Sequence, residues 1–353
     1  MEDEILFEEK GGVGIITLNR PKALNALTLG MIRAMDPKLK EWETDESIHM
    51  VLIKGAGEKA FCAGGDVRAV WEAGHNGDDL TDAFFREEYI LNRRIHRFPK
   101  PYVALLDGVT MGGGVGLSVH GSHRVVTDTT LFAMPETAIG LFPDVGGSWF
   151  LNKCPGESGM YLALTGARLK AADCIAVNMA TDYVLSEKMD ALLDAFISAD
   201  WSHPYPETLV NEIIAKFATE AGDAPIRNDF AVIDACFAKE SVEDIWAALE
   251  EEGGEFAQMA LKFMRKKSPL SMKMSLKQLR EGKKLTFEDC MIMEFRLSQA
   301  CVTGTEFYEG VRSVLVDKDH APKWVPETLE EVTDEMVDSA FESLGKRDLE
   351  FSH

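Results

Sequence analysis

Two carboxylates lie in an uncharged and largely apolar segment of the chain. Glu136 and Asp144 are eight positions apart, each next to a proline, within the sequence PETAIGLFPDVGG. Removing a carboxylate from water is costly, so a chain that keeps acids in such surroundings usually pairs them or uses them. Acids of this kind transfer protons or attack electrophilic carbon atoms. The segment therefore predicts a site where two carboxyl groups act together.

Two glycine-rich turns upstream can supply hydrogen-bond donors to such a site. The sequences AFCAGGD, at 60–66, and TMGGG, at 110–114, each precede a predicted helix. The first turn of a helix presents unpaired N–H groups and the positive end of the helix dipole. Two such turns can bind one carbonyl oxygen as an oxyanion hole. For either turn alone, close helix packing is the simpler interpretation, but acids together with N–H donors indicate chemistry at a carbonyl group.

The composition restricts the class of protein. The chain has 353 residues, 46% of them hydrophobic, and a formal net charge of −22. That length allows two domains, and the charge disfavours nucleic acid and anionic membrane surfaces as partners. The six cysteines are scattered without a CxxC pair, which is typical of reduced thiols. With no secretory signal recognisable at the acidic N-terminus, these features predict a soluble, cytoplasmic protein.

The periodicity predicts an α/β fold followed by a helical region. Short β-branched or apolar runs predict strands at 13–18, 50–53, 103–106, 124–126 and 131–133. Thr28 is a candidate N-cap for a helix that carries Met31, Met35 and Leu39 at helical spacing. After about residue 217, a polar stretch at 219–228 gives way to helical patterns. We therefore expect two regions, 1–217 and 218–353.

Four motifs together resemble the crotonase (enoyl-CoA hydratase/isomerase) superfamily. NRPKALNAL at 19–27, AFCAGGD at 60–66, GVTMGGGVGL at 108–117 and PETAIGLFPDVGG at 135–147 occur in that superfamily's order. The resemblance covers roughly residues 5–200 and returns at 309–318. It implies a spiral of ββα units within 1–217 that holds the acyl-CoA site, with an oxyanion hole for the thioester oxygen. By position, the donors of that oxyanion hole are the N–H groups of Gly65 and Gly113.

Departures from the hydratase pattern indicate a subclass. Hydratases carry a catalytic glutamate where this chain has Gly116, and usually a glycine where it has Asp144. The second hydratase glutamate matches Glu136. The loss of an acid at Gly116 and the gain of one at Asp144 disfavour the addition of water to a double bond. This pattern resembles the 3-hydroxyisobutyryl-CoA hydrolase branch of the superfamily, which acts in valine catabolism. That branch also has a glutamate matching Glu88, and a long helical C-terminal half.

The resemblance implies a thioesterase with a defined set of site residues. Glu136 acts as nucleophile or as general base, and Asp144 orients water or binds the substrate's 3-hydroxyl group. The implied substrate contacts are Ala63, Val67, Glu88, Gly113, Glu136 and Asp144, with Lys22 and Arg68 as candidates for the CoA phosphates. An exposed position on a charged helix is an equally good interpretation of Glu88, and solvation is the ordinary state of an exposed cation. No metal and no cofactor beyond the CoA of the substrate is expected, and a homo-oligomer is possible.

Two alternative functions remain open at this point. A crotonase-type isomerase or hydratase needs Glu136 alone as its proton shuttle. A non-catalytic acyl-CoA-binding protein needs neither acid. The sequence also leaves open whether Glu136 attacks the thioester directly or deprotonates a water molecule.

Overall fold

The computed structural model describes residues 3–351. Its strands are β1 Ile5–Lys10, β2 Val13–Leu18, β3 Met50–Gly55, β4 Ala60–Cys62, β5 Tyr102–Leu106, β6 Val109–Met111, β7 His123–Val126, β8 Leu131–Ala133 and β9 Asp182–Tyr183. Its α-helices are α1 Leu29–Thr44, α2 Val67–Asn76, α3 Leu80–His96, α4 Gly113–Gly116, α5 Gly147–Phe150, α6 Ser158–Thr165, α7 Ala171–Ala176, α8 Met189–Ile197, α9 Pro206–Ala215, α10 Phe230–Phe237, α11 Val242–Glu252, α12 Glu255–Met264, α13 Pro269–Gly282, α14 Phe287–Thr303, α15 Glu306–Val311 and α16 Asp334–Ser339. Among these described residues, no helix combines the length and apolarity needed to cross a bilayer.

The strands form one large and one small sheet. The large sheet has the order β1-β2-β3-β5-β7-β9, and the small sheet has the order β4-β6-β8. β1 and β2 pair in antiparallel fashion, whereas β2, β3, β5, β7 and β9 are parallel to one another. Each of the pairs β3–β4, β5–β6 and β7–β8 contributes one strand to each sheet. This repetition confirms the predicted α/β spiral, and the helices from α10 to α16 confirm the helical C-terminal region.

Local sequence explains the elements that were predicted. Every residue of β2 is buried, as expected for a β-branched strand in the interior of a sheet. The predicted N-cap of α1 is confirmed, because the Thr28 hydroxyl accepts a hydrogen bond of 3.2 Å from the Met31 N–H. Met31, Met35 and Leu39 are all buried on one face of that helix.

The contacts divide the chain into two compact units that are discontinuous in sequence. The first unit comprises 1–65, 91–132 and 168–225, and the second comprises 66–90, 133–167 and 226–353. These units differ from the predicted regions 1–217 and 218–353, because residues 66–90 and 133–167 pack with the C-terminal helices. Glu88, Glu136 and Asp144 therefore belong to the same unit as the helical region, whereas Gly65 and Gly113 belong to the first unit.

Candidate active site

In the first unit, Asn25 fixes the backbone around the AGGD turn. Its side chain is fully buried, and its Nδ2 donates to the carbonyl oxygens of Ala60, at 2.8 Å, and Ala56, at 3.0 Å. Its Oδ1 accepts a hydrogen bond of 2.9 Å from the Arg20 N–H. Asn25 has a φ of +56°, a left-handed conformation that asparagine tolerates better than most residues. This asparagine thus joins the NRPKALNAL loop to β4.

Backbone hydrogen bonds complete the connection between this loop and the turn. The Ala63 N–H donates to the Leu24 carbonyl oxygen at 3.0 Å, and the Leu27 N–H donates to the Gly64 carbonyl oxygen at 2.8 Å. Gly64 has a φ of +118°, which a side chain would strain. The NRPKALNAL motif therefore determines the position of the backbone that leads into Gly65.

The second glycine turn packs directly on the first. A Cβ atom on Gly114 would lie 2.3 Å from the Cys62 carbonyl oxygen, so only glycine permits this approach. Gly113 is the first residue of α4, where a backbone N–H has no acceptor within the helix. The packing interpretation is thus confirmed at Gly114, while the donor role of Gly65 and Gly113 stays a prediction.

In the second unit, three carboxyl groups are buried and influence one another. Glu88 lies on α3, Glu136 begins the 3₁₀ turn Glu136–Ile139, and Asp144 precedes α5. Their exposed fractions are 2%, 5% and 5%, so the alternative of an exposed acid at Glu88 is wrong. The helical register of α3 turns Glu88 inward, which the charged sequence around it did not reveal.

Burial raises the pKa of each of these acids, and the charges of neighbouring acids add to this effect for Glu136 and Glu88. Burial raises the pKa of Asp144 to about 7, although the hydrogen bond from Tyr89 opposes this shift. The pKa of Glu136 is raised well above its usual range, first by burial and then by the charge of Asp144. Burial, followed by the charges of Asp144 and Glu136, likewise raises the pKa of Glu88. The three groups therefore cannot all be ionised at neutral pH, and a protonated acid can donate a hydrogen bond.

Tyr89 and Lys267 adjust the charge of this cluster. Tyr89 is fully buried, and its hydroxyl donates to Oδ2 of Asp144 at 3.1 Å. The positive charge of Lys267 lowers the pKa of Glu136 and so opposes the effect of burial. Lys267 precedes Ser268, whose N–H donates to the Thr137 carbonyl oxygen at 3.0 Å. One cation is thus held close to the turn that carries Glu136.

Two oxygen atoms of the cluster have no hydrogen-bond partner. They are Oε1 of Glu88 and Oε2 of Glu136. A buried polar atom without a partner is unfavourable for stability, and such atoms are concentrated where a protein binds or transforms a ligand. Residues 3–351 contain no group of three or more His, Cys, Asp or Glu side chains arranged to hold a metal ion. The arrangement is suited to proton transfer and to nucleophilic attack.

The remaining predicted contacts are accessible to solvent to different degrees. Ala63 and Val67 are half-buried, whereas Lys22 and Arg68 are exposed. Arg68 forms an exposed ion pair of 3.0 Å with Glu72. Such a pair contributes little to stability, so it leaves the arginine available to an anion. The assignment of Lys22 and Arg68 to phosphates stays a prediction.

Sequence reasoning assigned no role at this site to three residues, Tyr89, Lys267 and Glu294. Tyr89 follows Glu88 directly, and Lys267 belongs to a basic run that is typical of a solvated helix face. Glu294 was recognisable in principle, because the side chains one helical turn before and after it, Cys290 and Ser298, are uncharged. A glutamate on an otherwise uncharged helix face is a sequence signal for a buried acid.

The charge state of Asp144 predicts how stability depends on pH. The folded pKa of about 7 lies above the ordinary value of 3.8, so the folded state holds this proton more tightly than the unfolded state. The associated stability is complete below about pH 4 and is lost as the pH rises through about 7. Between about pH 5 and pH 8, we expect the free energy of unfolding to fall less in Asp144→Asn than in the parent, as measured by urea denaturation. An equal loss in both proteins would contradict the raised pKa.

Comparisons with known proteins identify the family. Residues 13–341 match the enoyl-CoA hydratase/isomerase family, and the chain belongs to it. Within that family, the chain is 52% identical to an enzyme of Xenopus laevis named mitochondrial 3-hydroxyisobutyryl-CoA hydrolase, over 98% of this chain and 90% of that one. It is 49% identical to the human protein of that name, over 99% and 91%. A solved structure named as a carnitinyl-CoA dehydratase, from Mycobacterium thermoresistibile, is 40% identical with a TM-score of 0.91, and the match covers 97% of each chain.

The comparisons contradict the predicted cytoplasmic location. The Xenopus laevis and human relatives are both named mitochondrial proteins. The prediction rested on cysteine usage and on the absence of a recognisable signal. It was wrong because reduced thiols are not peculiar to one compartment, and because neither the fold nor the active site of an enzyme specifies its location.

Proposed function

We propose that this protein hydrolyses 3-hydroxyisobutyryl-CoA to 3-hydroxyisobutyrate and free CoA, a reaction of valine catabolism. The observation that carries the proposal is the buried group of Glu88, Glu136 and Asp144 in the second unit, with Gly116 where a hydratase has its other glutamate. The names of relatives about 50% identical over nearly the whole chain support it.

Glu136 is the group that acts on the thioester carbon. In one route, its carboxylate attacks that carbon, the C–S bond breaks, and CoA leaves as a thiolate that takes up a proton. Water then hydrolyses the resulting mixed anhydride and regenerates Glu136. In the other route, Glu136 removes a proton from the water that attacks the thioester. A single turnover in oxygen-18 water separates the routes, since only the anhydride route can place the label in the Glu136 carboxylate.

Asp144 and Glu88 have supporting roles in this proposal. The hydrogen bond from the Tyr89 hydroxyl stabilises the charged form of Asp144 against the effect of burial, so Asp144 suits the orientation of the attacking water. Burial, followed by the charges of Asp144 and Glu136, raises the pKa of Glu88, so its protonated form can donate a hydrogen bond to the substrate's 3-hydroxyl oxygen. We further propose that Gly65 and Gly113 donate to the thioester oxygen and that Lys22 and Arg68 bind CoA phosphates.

The proposed role of Glu88 predicts a change in substrate preference. Glu88→Leu removes the hydrogen bond but retains most of the buried volume. We expect kcat/KM for 3-hydroxyisobutyryl-CoA to fall about tenfold, as the loss of one hydrogen bond implies, and kcat/KM for isobutyryl-CoA to change little. The matched control is Glu87→Leu, one position away. A similar loss with both substrates would refute hydroxyl recognition by Glu88.

A second candidate function is hydration or dehydration of an acyl-CoA. It is favoured by the likeness to the solved structure named as a dehydratase, which matches this chain over 97% of its length. A panel of acyl-CoA esters, with and without a 3-hydroxyl group, distinguishes the two functions. Hydrolysis releases a free thiol that a chromogenic disulfide detects, whereas dehydration forms a conjugated double bond and retains the thioester. Double-bond formation without thiol release would overturn the proposed hydrolase.

The same panel tests the other expectations. A non-catalytic acyl-CoA-binding protein would give neither product. Hydrolysis by carboxyl groups needs no redox or electrophilic group, so we propose that no cofactor is required and that thiol release persists in the presence of a chelator. A homo-oligomer stays a prediction, which sedimentation of the purified protein tests.

A further inference from the structure

The backbone directly after Asp144 has an unusual conformation. Val145 has a φ of +49° and is 1% exposed, and Gly146 follows with a φ of +89°. A β-branched residue in the left-handed region costs about 1–3 kcal/mol and persists only where its surroundings enforce it. Whatever enforces this turn also determines where the Asp144 carboxyl group points.

Glu294, on α14, binds the backbone of this turn. Its side chain is fully buried, and its Oε2 accepts a hydrogen bond of 2.7 Å from the Gly146 N–H. Its Oε1 accepts a bond of 2.8 Å from the Ser148 N–H and a further bond from the Ser148 hydroxyl. These hydrogen bonds at the start of α5 stabilise the charged form of Glu294 and oppose burial, which raises its pKa to about 7.

Gln278 extends the same network to the other side of Asp144. Its Nε2 donates to the Pro143 carbonyl oxygen at 2.8 Å and to Oε1 of Glu294 at 3.3 Å. The residues on both sides of the Asp144–Val145 pair are thus bound to one buried network. The Tyr89 hydroxyl then bonds the Asp144 carboxylate itself.

We infer that Glu294 is a positioning residue for Asp144, holding the strained Val145–Gly146 turn so that the Asp144 carboxylate points toward the reacting groups. The inference rests on the proposed hydrolase function. Glu294 itself bonds Gly146, Ser148 and Gln278, and it acts on the reaction through Asp144. A purely structural Glu294 would stabilise the fold without affecting what Asp144 does.

A double-mutant cycle on purified full-length protein separates these two roles. Glu294→Gln places an amide NH₂ against one of the N–H groups that the carboxylate now binds, which releases the turn. Because a misplacement of about 1 Å can cost about 10²-fold in rate, we expect kcat for thiol release to fall about 10- to 100-fold. In the Asp144→Asn background, the same change should cost less than about twofold. Equal losses in both backgrounds would overturn the inference.

Glu157→Gln is the matched control for lost stability. Glu157 is a partly buried carboxylate of the same unit, and its side chain binds Arg280, at 3.0 Å, and Lys283, at 3.2 Å. This variant should lower the thermal midpoint but leave kcat at the parent value. A kcat loss in Glu157→Gln equal to that in Glu294→Gln would show that lost stability alone explains the effect.

If the parent releases no thiol, the proposed hydrolase function is refuted but the positioning role of Glu294 is not. A second measurement tests that role independently of activity. The carboxyl carbon of Asp144 is titrated by carbon-13 NMR in the parent and in both glutamine variants. Glu88, Glu136, Tyr89, Glu294 and Cys301 are titratable groups that interact with Asp144 through charge or a hydrogen bond. We expect the titration midpoint to move in Glu294→Gln and to stay in Glu157→Gln. An unmoved midpoint in Glu294→Gln would overturn the positioning role.

Discussion

Replacing Glu136 with glutamine is expected to lower thiol release from 3-hydroxyisobutyryl-CoA by about 10²–10⁴-fold, the range that positioned acid–base groups contribute. Glutamine has nearly the same shape but neither attacks a thioester efficiently nor accepts a proton from water. Because the proposal places Glu136 in both routes, the loss should appear in kcat and not chiefly in KM. The measurement is steady-state thiol release by parent and variant under the same conditions.

The stability of Glu136→Gln makes this result interpretable. Glu136 is 5% exposed and its Oε2 has no hydrogen-bond partner, so the neutral variant loses no hydrogen bond at that atom. A buried ionisable group is unfavourable for folding, so the thermal midpoint at neutral pH should be at least that of the parent. Glu157→Gln serves again as the control that retains activity. A folded Glu136→Gln variant with near-parental kcat would refute the assignment of Glu136.

Replacing Asp144 with asparagine is expected to lower thiol release by at least about tenfold, while any isomerase or hydratase activity of Glu136 is spared. Asparagine retains an acceptor for the Tyr89 hydroxyl, whose bond to Asp144 measures 3.1 Å, so the side chain should stay in place. What the variant lacks is the negative charge that orients water. The measurement compares thiol release with double-bond formation on the same panel of esters.

Asp234→Asn provides a matched control for this second prediction. Asp234 accepts a hydrogen bond of 2.8 Å from the Glu157 N–H and lies outside the carboxyl cluster. Its replacement should leave thiol release at the parent level. Full hydrolase activity in Asp144→Asn would mean that the aspartate does not define the reaction, and a Glu136-only mechanism would then be the better account.

The sequence predicted the fold because its motifs are local. The β-branched run at 13–18 and the Thr28 N-cap each favour their own backbone conformation through residues that are close in sequence. The order of four such motifs was then specific enough to indicate the family. Glu136 and Asp144 were found by the same means, since a charge in an apolar segment is visible without a structure.

Long-range partners were beyond such reasoning. Glu294 binds a turn that is 148 positions away in the chain, because its Oε2 accepts a hydrogen bond from the Gly146 N–H. The division into two units was missed for the same reason, because segments 66–90 and 133–167 pack with helices that follow residue 225. Neither the Glu294–Gly146 contact nor the division into two units leaves a pattern among neighbouring residues, because both depend on tertiary contacts between distant segments of the chain.

The sequence by itself determined that two acids, Glu136 and Asp144, occur in an apolar segment that follows two glycine turns. It could not determine their protonation, because a pKa depends on burial and on charges that distant residues bring near. The tertiary structure decided that Glu88 is buried and not exposed, and it placed the Tyr89 hydroxyl on Asp144. Burial in one unit then raises all three carboxyl pKa values, so that acids of similar intrinsic strength can take different roles.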